Sequence, residues 1–309
     1  MFIITMALFI FLPVLILLGL FYLGKGSIFG AVLFIVLSGN LLFLLFKAGP
    51  WEFTWFYLKH IIFLAYLAVS GLTMVFNDNA NFVLNSGEYM VCAAIAVTLF
   101  FNINAARALK RPAKCLNLEF PFENGRYLVT DGGDGSISSL INYHNKAQVH
   151  KIGNSNSSMR FATDIVKLGK TGFTVSSHLT DKNESYAIYN EKVYSPCDAV
   201  VVEVVDSIEN NIPFSRNFPY NVGNHVVLKK DNNYIVMGHL NKNSITVKEG
   251  DTLRTHQLLG LIGNSGLTPR PHLHMQVSEA EDGFFWAGRG VPISFSNLPY
   301  PVKNAVLKV

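Results

Sequence analysis

The pattern of apolar and polar residues divides this 309-residue chain into two parts. Up to about residue 106, long apolar runs are separated by short polar stretches, and charges are scarce. From about Arg107 onward, charged residues, Gly- and Asn-rich turns and short apolar stretches mix as in an ordinary globular domain. We therefore predict a transmembrane helical domain over 1–106, a linker over 107–117 and a separate domain over 118–309.

Four apolar segments in the first part are long enough to cross a bilayer, which takes about 20 helical residues. They cover 2–23, 28–46, 53–76 and 89–106. The first is too long for a signal peptide, has no basic segment before it and is followed by more spans, which favours a permanent helix. Lys59 and His60 interrupt the third segment, and we interpret them as interfacial side chains rather than as an ion or proton site. This part is expected to be an all-α anchor of about four helices in the lipid bilayer.

Short runs of β-branched residues in the second part predict strands. They cover 199–205, 225–228, 234–237, 258–262 and 272–277, with Asn- and Gly-rich turns between them. No strong amphipathic helix is predicted after residue 120, so we expect a mostly antiparallel β domain. The net charge of +4 does not form a basic stripe, which argues against nucleic acid as a partner.

Two histidines alternate along the last of these predicted strands. Since alternate side chains of a strand share one face, His272 and His274 point the same way as Gln276, and the apolar residues between them face the core. Two imidazoles so placed can reach one metal ion. An exposed polar strand face is the alternative interpretation of the same pattern.

Two further elements make a metal site the better interpretation. His239 lies at the end of a predicted strand over 234–240, and Asp164 lies in a predicted strand over 160–166. Zinc takes His nitrogen and carboxylate oxygen as ligands, and a catalytic zinc keeps one position open for water. Asp164 and His274 supply two ligands, and a third is required.

Six segments then follow one another in a recognisable order: 193–202, 223–228, 238–240, 247–251, 259–266 and 271–274. Together they resemble the M23 (lysostaphin-like) zinc metallopeptidase family, over about residues 118–296. The resemblance implies a β-sheet groove fold with a barrel-sandwich-like hairpin, a Zn²⁺ cofactor and hydrolysis of peptide cross-links, usually in peptidoglycan. It also implies Asp164 and His274 as zinc ligands. His239 and His272 would be the catalytic pair that polarises water and stabilises the oxyanion.

One position departs from the family pattern. A histidine usually precedes the aspartate by four residues, but this chain has Arg160 there, which cannot lose its proton to bind zinc. Some family members resemble this chain around Asn142-Tyr143-His144 and take the ligand from that strand, which implies His144 as the third ligand. His150 is the alternative ligand. The alternative functions are an inactive M23-fold module that binds peptide or a partner at the membrane, and a metallohydrolase with another substrate.

The side of the membrane stays open at this point. Four basic residues follow the last span, and the loop before that span has no Lys or Arg: the four are Arg107, Lys110, Arg111 and Lys114. The positive-inside rule then places the second domain in the cytoplasm. A peptidoglycan hydrolase anchored as a multi-pass protein in a bacterial cytoplasmic membrane needs the extracytoplasmic side instead.

Overall fold

The structure is a computed structural model that describes residues 2–24, 27–77, 86–146, 157–177, 180–215, 222–281 and 284–309. The chain divides into two compact units, Met1–Arg107 and Ala108–Val309. The first is helical and the second is built from strands.

The described residues of the first unit form four helices: α1 (Phe2–Leu23), α2 (Ile28–Ala48), α3 (Leu58–Val75) and α4 (Ser86–Ala108). The predicted number of helices is confirmed. Three of them, α2, α3 and α4, are long and apolar enough to cross a membrane. In α1 the apolar helix whose side chains are described is the shorter Ile10–Leu23, so the candidate spans among the described residues number three rather than four.

Polar side chains tie these apolar helices together. The Tyr66 hydroxyl of α3 donates to the Ile35 carbonyl of α2 at 3.0 Å. The Asn102 amide of α4 donates to the Asn40 carbonyl of α2 at 2.9 Å. Each bond satisfies a donor that would otherwise be costly to bury in an apolar environment.

The described residues of the second unit form thirteen strands and several 3-10 turns. The strands are β1 (Leu116–Leu118), β2 (Arg126–Asp131), β3 (Thr163–Lys167), β4 (Lys192–Tyr194), β5 (Ala199–Val205), β6 (Asn224–Lys230), β7 (Asn233–Leu240), β8 (Thr252–Leu253), β9 (Leu258–Leu261), β10 (Leu273–Glu279), β11 (Arg289–Gly290), β12 (Ile293–Phe295) and β13 (Val306–Lys308).

One large sheet organises this unit. Its strand order is β13-β2-β3-β10-β7-β6-β5-β8, and β11 also pairs with β10. Two small sheets accompany it, β4 with β9 and β1 with β12. Only the β1–β12 pair among the described strands is parallel, so the predicted mostly antiparallel fold is confirmed.

Apolar side chains cover both faces of the large sheet. Leu273, Met275 and Val277 of β10 belong to the main core, as their alternation predicts. His274 and Gln276 point to the other face and are almost fully buried there. The alternative of an exposed polar strand face is therefore wrong.

Two predicted strands end or begin differently in the structure. The predicted strand over 160–166 begins only at Thr163, because Arg160 lies in a turn that follows the 3-10 turn Ser157–Met159. His144 begins a 3-10 turn, His144–Lys146, rather than lying in a strand. Tertiary contacts of these residues, described below, explain both differences.

Candidate metal centre and active site

Strand register brings the first two site residues together. β10 lies between β3 and β7, and His274 of β10 is directly opposite Asp164 of β3 and Gly238 of β7. Directly opposite residues in antiparallel strands have Cβ atoms about 4.5–5.5 Å apart. The sheet itself therefore places a carboxylate beside an imidazole.

Three imidazoles surround the Asp164 carboxylate. The His274 Nδ1 atom lies 2.9 Å from Oδ1. The Nε2 atoms of His144 and His272 lie 3.2 and 3.3 Å from Oδ2. One potential ligand atom from each of His144, Asp164 and His274 lies within 4.8 Å of the others. This set of two nitrogens and one oxygen suits zinc.

A buried amide fixes the orientation of His144. The Asn142 Nδ2 atom donates to the carbonyls of Gly133 at 2.9 Å and Ala162 at 2.8 Å. Since carbonyls only accept, the Oδ1 atom of Asn142 must face His144, whose Nδ1 lies 2.9 Å away. The proton of neutral His144 is therefore on Nδ1, and the Nε2 lone pair points to the cluster.

His274 is held in the opposite tautomer. The Ser158 hydroxyl donates to the Trp286 carbonyl at 3.0 Å, so it accepts from the Gln276 Nε2 atom at 3.4 Å. The Gln276 Oε1 atom then faces the His274 Nε2 atom at 3.0 Å and accepts its proton. The lone pair of His274 is therefore on Nδ1, the atom next to Asp164.

His239 and His272 form a second pair beside this cluster, with ring centroids 4.6 Å apart. The Nδ1 atom of His239 donates to the Ser265 carbonyl at 2.7 Å, and that of His272 to the Arg270 carbonyl at 3.0 Å. The Nε2 atom of His239 is thus left as a proton acceptor. His272 immediately precedes β10, so it lies at the end of the ladder rather than within it.

The backbone at His239 is strained in a way that aims its side chain. His239 has a φ of 63°, in the left-handed region that few residues other than glycine adopt. The register between β6 and β7 shifts here, because Asn224 pairs with Leu240 while Val226 pairs with Met237. The extra residue of β7 forms a bulge, a feature that redirects side chains near active sites.

A glycine makes room for the Ser265 carbonyl that accepts from His239. Gly223 has a φ of 61°, and a Cβ atom there would lie 2.2 Å from that carbonyl oxygen. The Ser265 hydroxyl donates to the Leu240 carbonyl at 2.7 Å and accepts from the Asn224 N–H at 2.9 Å. The acceptor of His239 is therefore fixed at two further points.

The burial of the site and its neighbouring imidazoles shift the pKa values of Asp164 and His239. Burial alone would raise the pKa of Asp164, but the His144 and His272 imidazoles outweigh it and hold that pKa well below its usual range. Burial, with the neighbouring His272 and His274 imidazoles, lowers the pKa of His239 well below its usual value. The site thus combines a permanent carboxylate with a neutral His239 that can accept a proton.

Arg160 lies outside the cluster. Its Nε and Nη2 atoms donate to Asp134 at 2.9 and 2.6 Å. Burial alone would raise the pKa of Asp134, but the hydrogen bonds from Arg160 and Ser136 outweigh it and lower that pKa. This two-bond ion pair is what keeps Arg160 in a turn and away from Asp164.

The other described histidines of the second unit do not join the cluster. His225 is buried, with its Nε2 atom 2.7 Å from Glu203 and its ring 5.6 Å from that of Trp286, in keeping with a packing role. His256 is exposed in a turn. His150, the alternative third ligand, and His178 lie outside the described residues.

Sequence reasoning missed the groups that orient the histidines. Asn142 lies two residues before His144, but its carbonyl partners come from segments that only the fold brings together. The sequence did contain a signal for Gln276, because Gln276 shares the strand face of His274. Phe285 is buried and stacks on Tyr234 with ring centroids 5.1 Å apart.

Comparison with known proteins also finds similarity to M23 peptidases. Residues 184–284 match the profile of peptidase family M23. The chain is 32% identical over 116 residues to the peptidoglycan DD-endopeptidase ShyA of Vibrio cholerae serotype O1, which covers 38% of this chain and 22% of that protein. It is 31% identical over 71 residues to an uncharacterized metalloprotease of Buchnera aphidicola subsp. Baizongia pistaciae, which covers 23% of this chain and 19% of that protein.

Among solved structures, the chain is similar to a zinc-containing peptidase from Vibrio cholerae, with 21% identity and a TM-score of 0.33. The match covers 58% of this chain and 39% of that one. The chain spans only about a fifth of the length of the two curated relatives. The match to peptidase family M23 lies within the second unit.

Proposed function

We propose that this chain is a membrane-anchored zinc metalloendopeptidase that hydrolyses peptide bonds in peptidoglycan cross-links. The observation that carries the proposal is the convergence of His144, His272 and His274 on the Asp164 carboxylate within 3.3 Å. The M23 match and the peptidoglycan DD-endopeptidase relative support the reaction and the substrate class.

The residues present fit a zinc ion. A buried carboxylate needs compensating charge, and here its described partners are imidazoles rather than Lys or Arg. The ligands would be the Nε2 atom of His144, the Asp164 carboxylate and the Nδ1 atom of His274, whose lone pairs the surrounding hydrogen bonds leave available. Bound zinc would supply Lewis acidity, which polarises a carbonyl and makes water a stronger acid.

The proton transfers fall to the second pair of histidines. His239 is neutral and takes the proton of the attacking water on its Nε2 atom, since its Nδ1 atom is committed to Ser265. His272 lies beside it, with its Nε2 atom 3.3 Å from the Asp164 carboxylate. It donates to the oxyanion that develops on the scissile carbonyl. The proton held by His239 then passes to the leaving amine.

The helical unit supports attachment to a membrane. Large apolar side chains are exposed on its surface, such as Leu64 at 65% and Phe100 at 63%. A surface of this kind is stable in hydrocarbon rather than in water. Peptidoglycan as substrate places the peptidase domain on the extracytoplasmic side, against the positive-inside rule for the basic residues 107–114.

The full chain purified in a non-ionic detergent is expected to contain zinc and to release soluble fragments from purified peptidoglycan. A zinc chelator should abolish the release, and added Zn²⁺ should restore it. A chain without bound metal, or with metal but without cleavage, would support the inactive binding module instead. A reporter fused after Val309 that scores as cytoplasmic would remove peptidoglycan as the substrate.

A further inference from the structure

A cavity of about 320 Å³ lies between α2 and α3 in the helical unit. Its walls include Gly39, Phe43 and Lys47 of α2 and Lys59, Phe63 and Tyr66 of α3. All of these residues belong to the helical unit, so the cavity is distinct from the peptidase site.

The charged groups of this cavity lie together at one end. Lys47 is in the last turn of α2, whereas Lys59 and His60 are in the first turn of α3, and the short segment 49–57 joins the two helix ends. Trp51 of that segment also lines the cavity, and its indole N–H donates to the Leu45 carbonyl at 3.1 Å. Trp and Lys at a helix end mark the depth of lipid headgroups.

The other end of the cavity is apolar. Gly39 and Phe43 lie one to two turns deeper along α2, and Phe63 and Tyr66 lie one to two turns deeper along α3. The Tyr66 hydroxyl is already satisfied by the Ile35 carbonyl. The cavity therefore has the polarity of an amphiphile, with cations at the interface and an apolar interior.

The Lys59 ammonium is a buried cation in the wall of this cavity. Its side chain is only 5% exposed, and its Nζ atom lies 3.8 Å from the ring centroid of Phe56 and 5.0 Å from that of Phe46. Among the described residues no carboxylate lies within ion-pair distance of it, and no acidic residue lines the cavity. Glu52 is buried in the adjoining turn but is not part of the cavity wall. A buried cation without an anion is costly.

We propose that this cavity binds one anionic lipid, with the lipid phosphate at Lys47 and Lys59 and part of an acyl chain along Phe43 and Phe63. The inference rests on the proposed membrane attachment but not on the peptidase activity. The lipid is preferred to free phosphate because the apolar interior needs a hydrocarbon partner.

The test uses the full chain in a non-ionic detergent and measures bound lipid by native mass spectrometry. Dioleoylphosphatidylglycerol is expected to bind at one molecule per chain, and dioleoylphosphatidylcholine much more weakly. Lys59→Met should weaken the phosphatidylglycerol affinity about tenfold, the size expected for loss of one hydrogen bond to a charged group. Lys59→Arg should retain the affinity.

Lys110→Met is the matched control, because Lys110 belongs to the basic run after the last span but not to the cavity wall. It should bind phosphatidylglycerol as the parent does. Equal binding of the two lipids, or parent affinity in Lys59→Met, would overturn the proposal, as would displacement of the lipid by equimolar inorganic phosphate. If Lys59→Met does not fold, Phe43→Trp fills the cavity with its cations intact and should lose the lipid; full retention by it would also overturn the proposal.

A second inference concerns the two buried amides beside the peptidase site. The geometry assigns Asn142 and Gln276 as positioning residues that fix His144 and His274 in opposite tautomers. Each amide is itself oriented by groups that can accept from it, Asn142 by two carbonyls and Gln276 by Ser158. This inference deepens the proposed function, because these tautomers are the ones that expose a lone pair to zinc from each histidine.

Asn142→Leu and Gln276→Leu are each expected to raise the zinc dissociation constant about 10- to 100-fold. In the zinc-free chain, ¹⁵N shifts of the altered histidine should change from one tautomer to a mixture. Asn224→Leu is the control, since Asn224 is equally buried but bonds Ile208 and Leu240. It should lose stability but keep the zinc dissociation constant and the histidine tautomers of the parent chain. Unchanged tautomers in both test variants would reject the assignment, whereas a parent chain that binds no zinc would reject only the proposed function.

Discussion

Replacing His144 by Ala is expected to reduce bound zinc from about one ion per chain to nearly none at micromolar free zinc. Loss of an outer hydrogen-bond partner of a ligand already costs about 10- to 100-fold in metal affinity, and loss of the ligand itself costs more. The carboxylate of Asp164 and the Nδ1 atom of His274 alone would then hold the metal. The measurement is metal content of the full chain with a parallel titration of zinc affinity.

Arg160→Ala is the matched control for that experiment. Arg160 occupies the position where the family has its histidine, but it binds Asp134 and not Asp164. The variant should therefore lose some stability and keep its zinc. Full zinc affinity in His144→Ala would reject His144 as a ligand and transfer that role to His272, whose Nε2 atom is the next nearest to the carboxylate.

Replacing His239 by Ala is expected to lower the rate of peptide hydrolysis about 10²- to 10³-fold, while zinc content stays at the parent value. His239 bonds Ser265 and faces His272, so its loss removes a proton acceptor and leaves the three proposed ligands in place. The measurement is the rate of peptidoglycan cleavage with metal content determined on the same sample.

His256→Ala controls for backbone strain, since His256 has a φ of 65°, close to the 63° of His239. His256 is exposed, and its replacement should leave both rate and zinc unchanged. Loss of zinc from His239→Ala would contradict the division between the two pairs of histidines. Parent activity in that variant would contradict the role of His239 itself.

Local patterns were sufficient to predict much of the fold. The alternation in 272–277 placed Leu273, Met275 and Val277 in the core, because the period of a strand is a property of neighbouring residues. The predicted strand over 199–205 is β5. Apolar runs likewise predicted four helices.

The predictions that were wrong or missing concern residues whose partners are distant in the sequence. The sequence predicts that Arg160 lies in a strand, yet its hydrogen bonds to Asp134, 26 residues away, hold it in a turn. The family resemblance implies His144 as a ligand, but its 3-10 turn and its 3.2 Å approach to Asp164 arise from tertiary contacts that no local period encodes. The tautomers of the histidines depend on carbonyls from separate loops and could not be predicted at all.

The three proposed ligands lie on elements of unequal rigidity. His274 is on a strand paired on both sides, and Asp164 is on its neighbour, whereas His144 begins a three-residue 3-10 turn. Central strands open only with the whole domain, but a short turn can open locally. Metal exchange should therefore proceed stepwise, with the His144 imidazole detaching first and attaching last. The lifetime of the bound ion would then be set by the opening of one turn rather than by the stability of the domain.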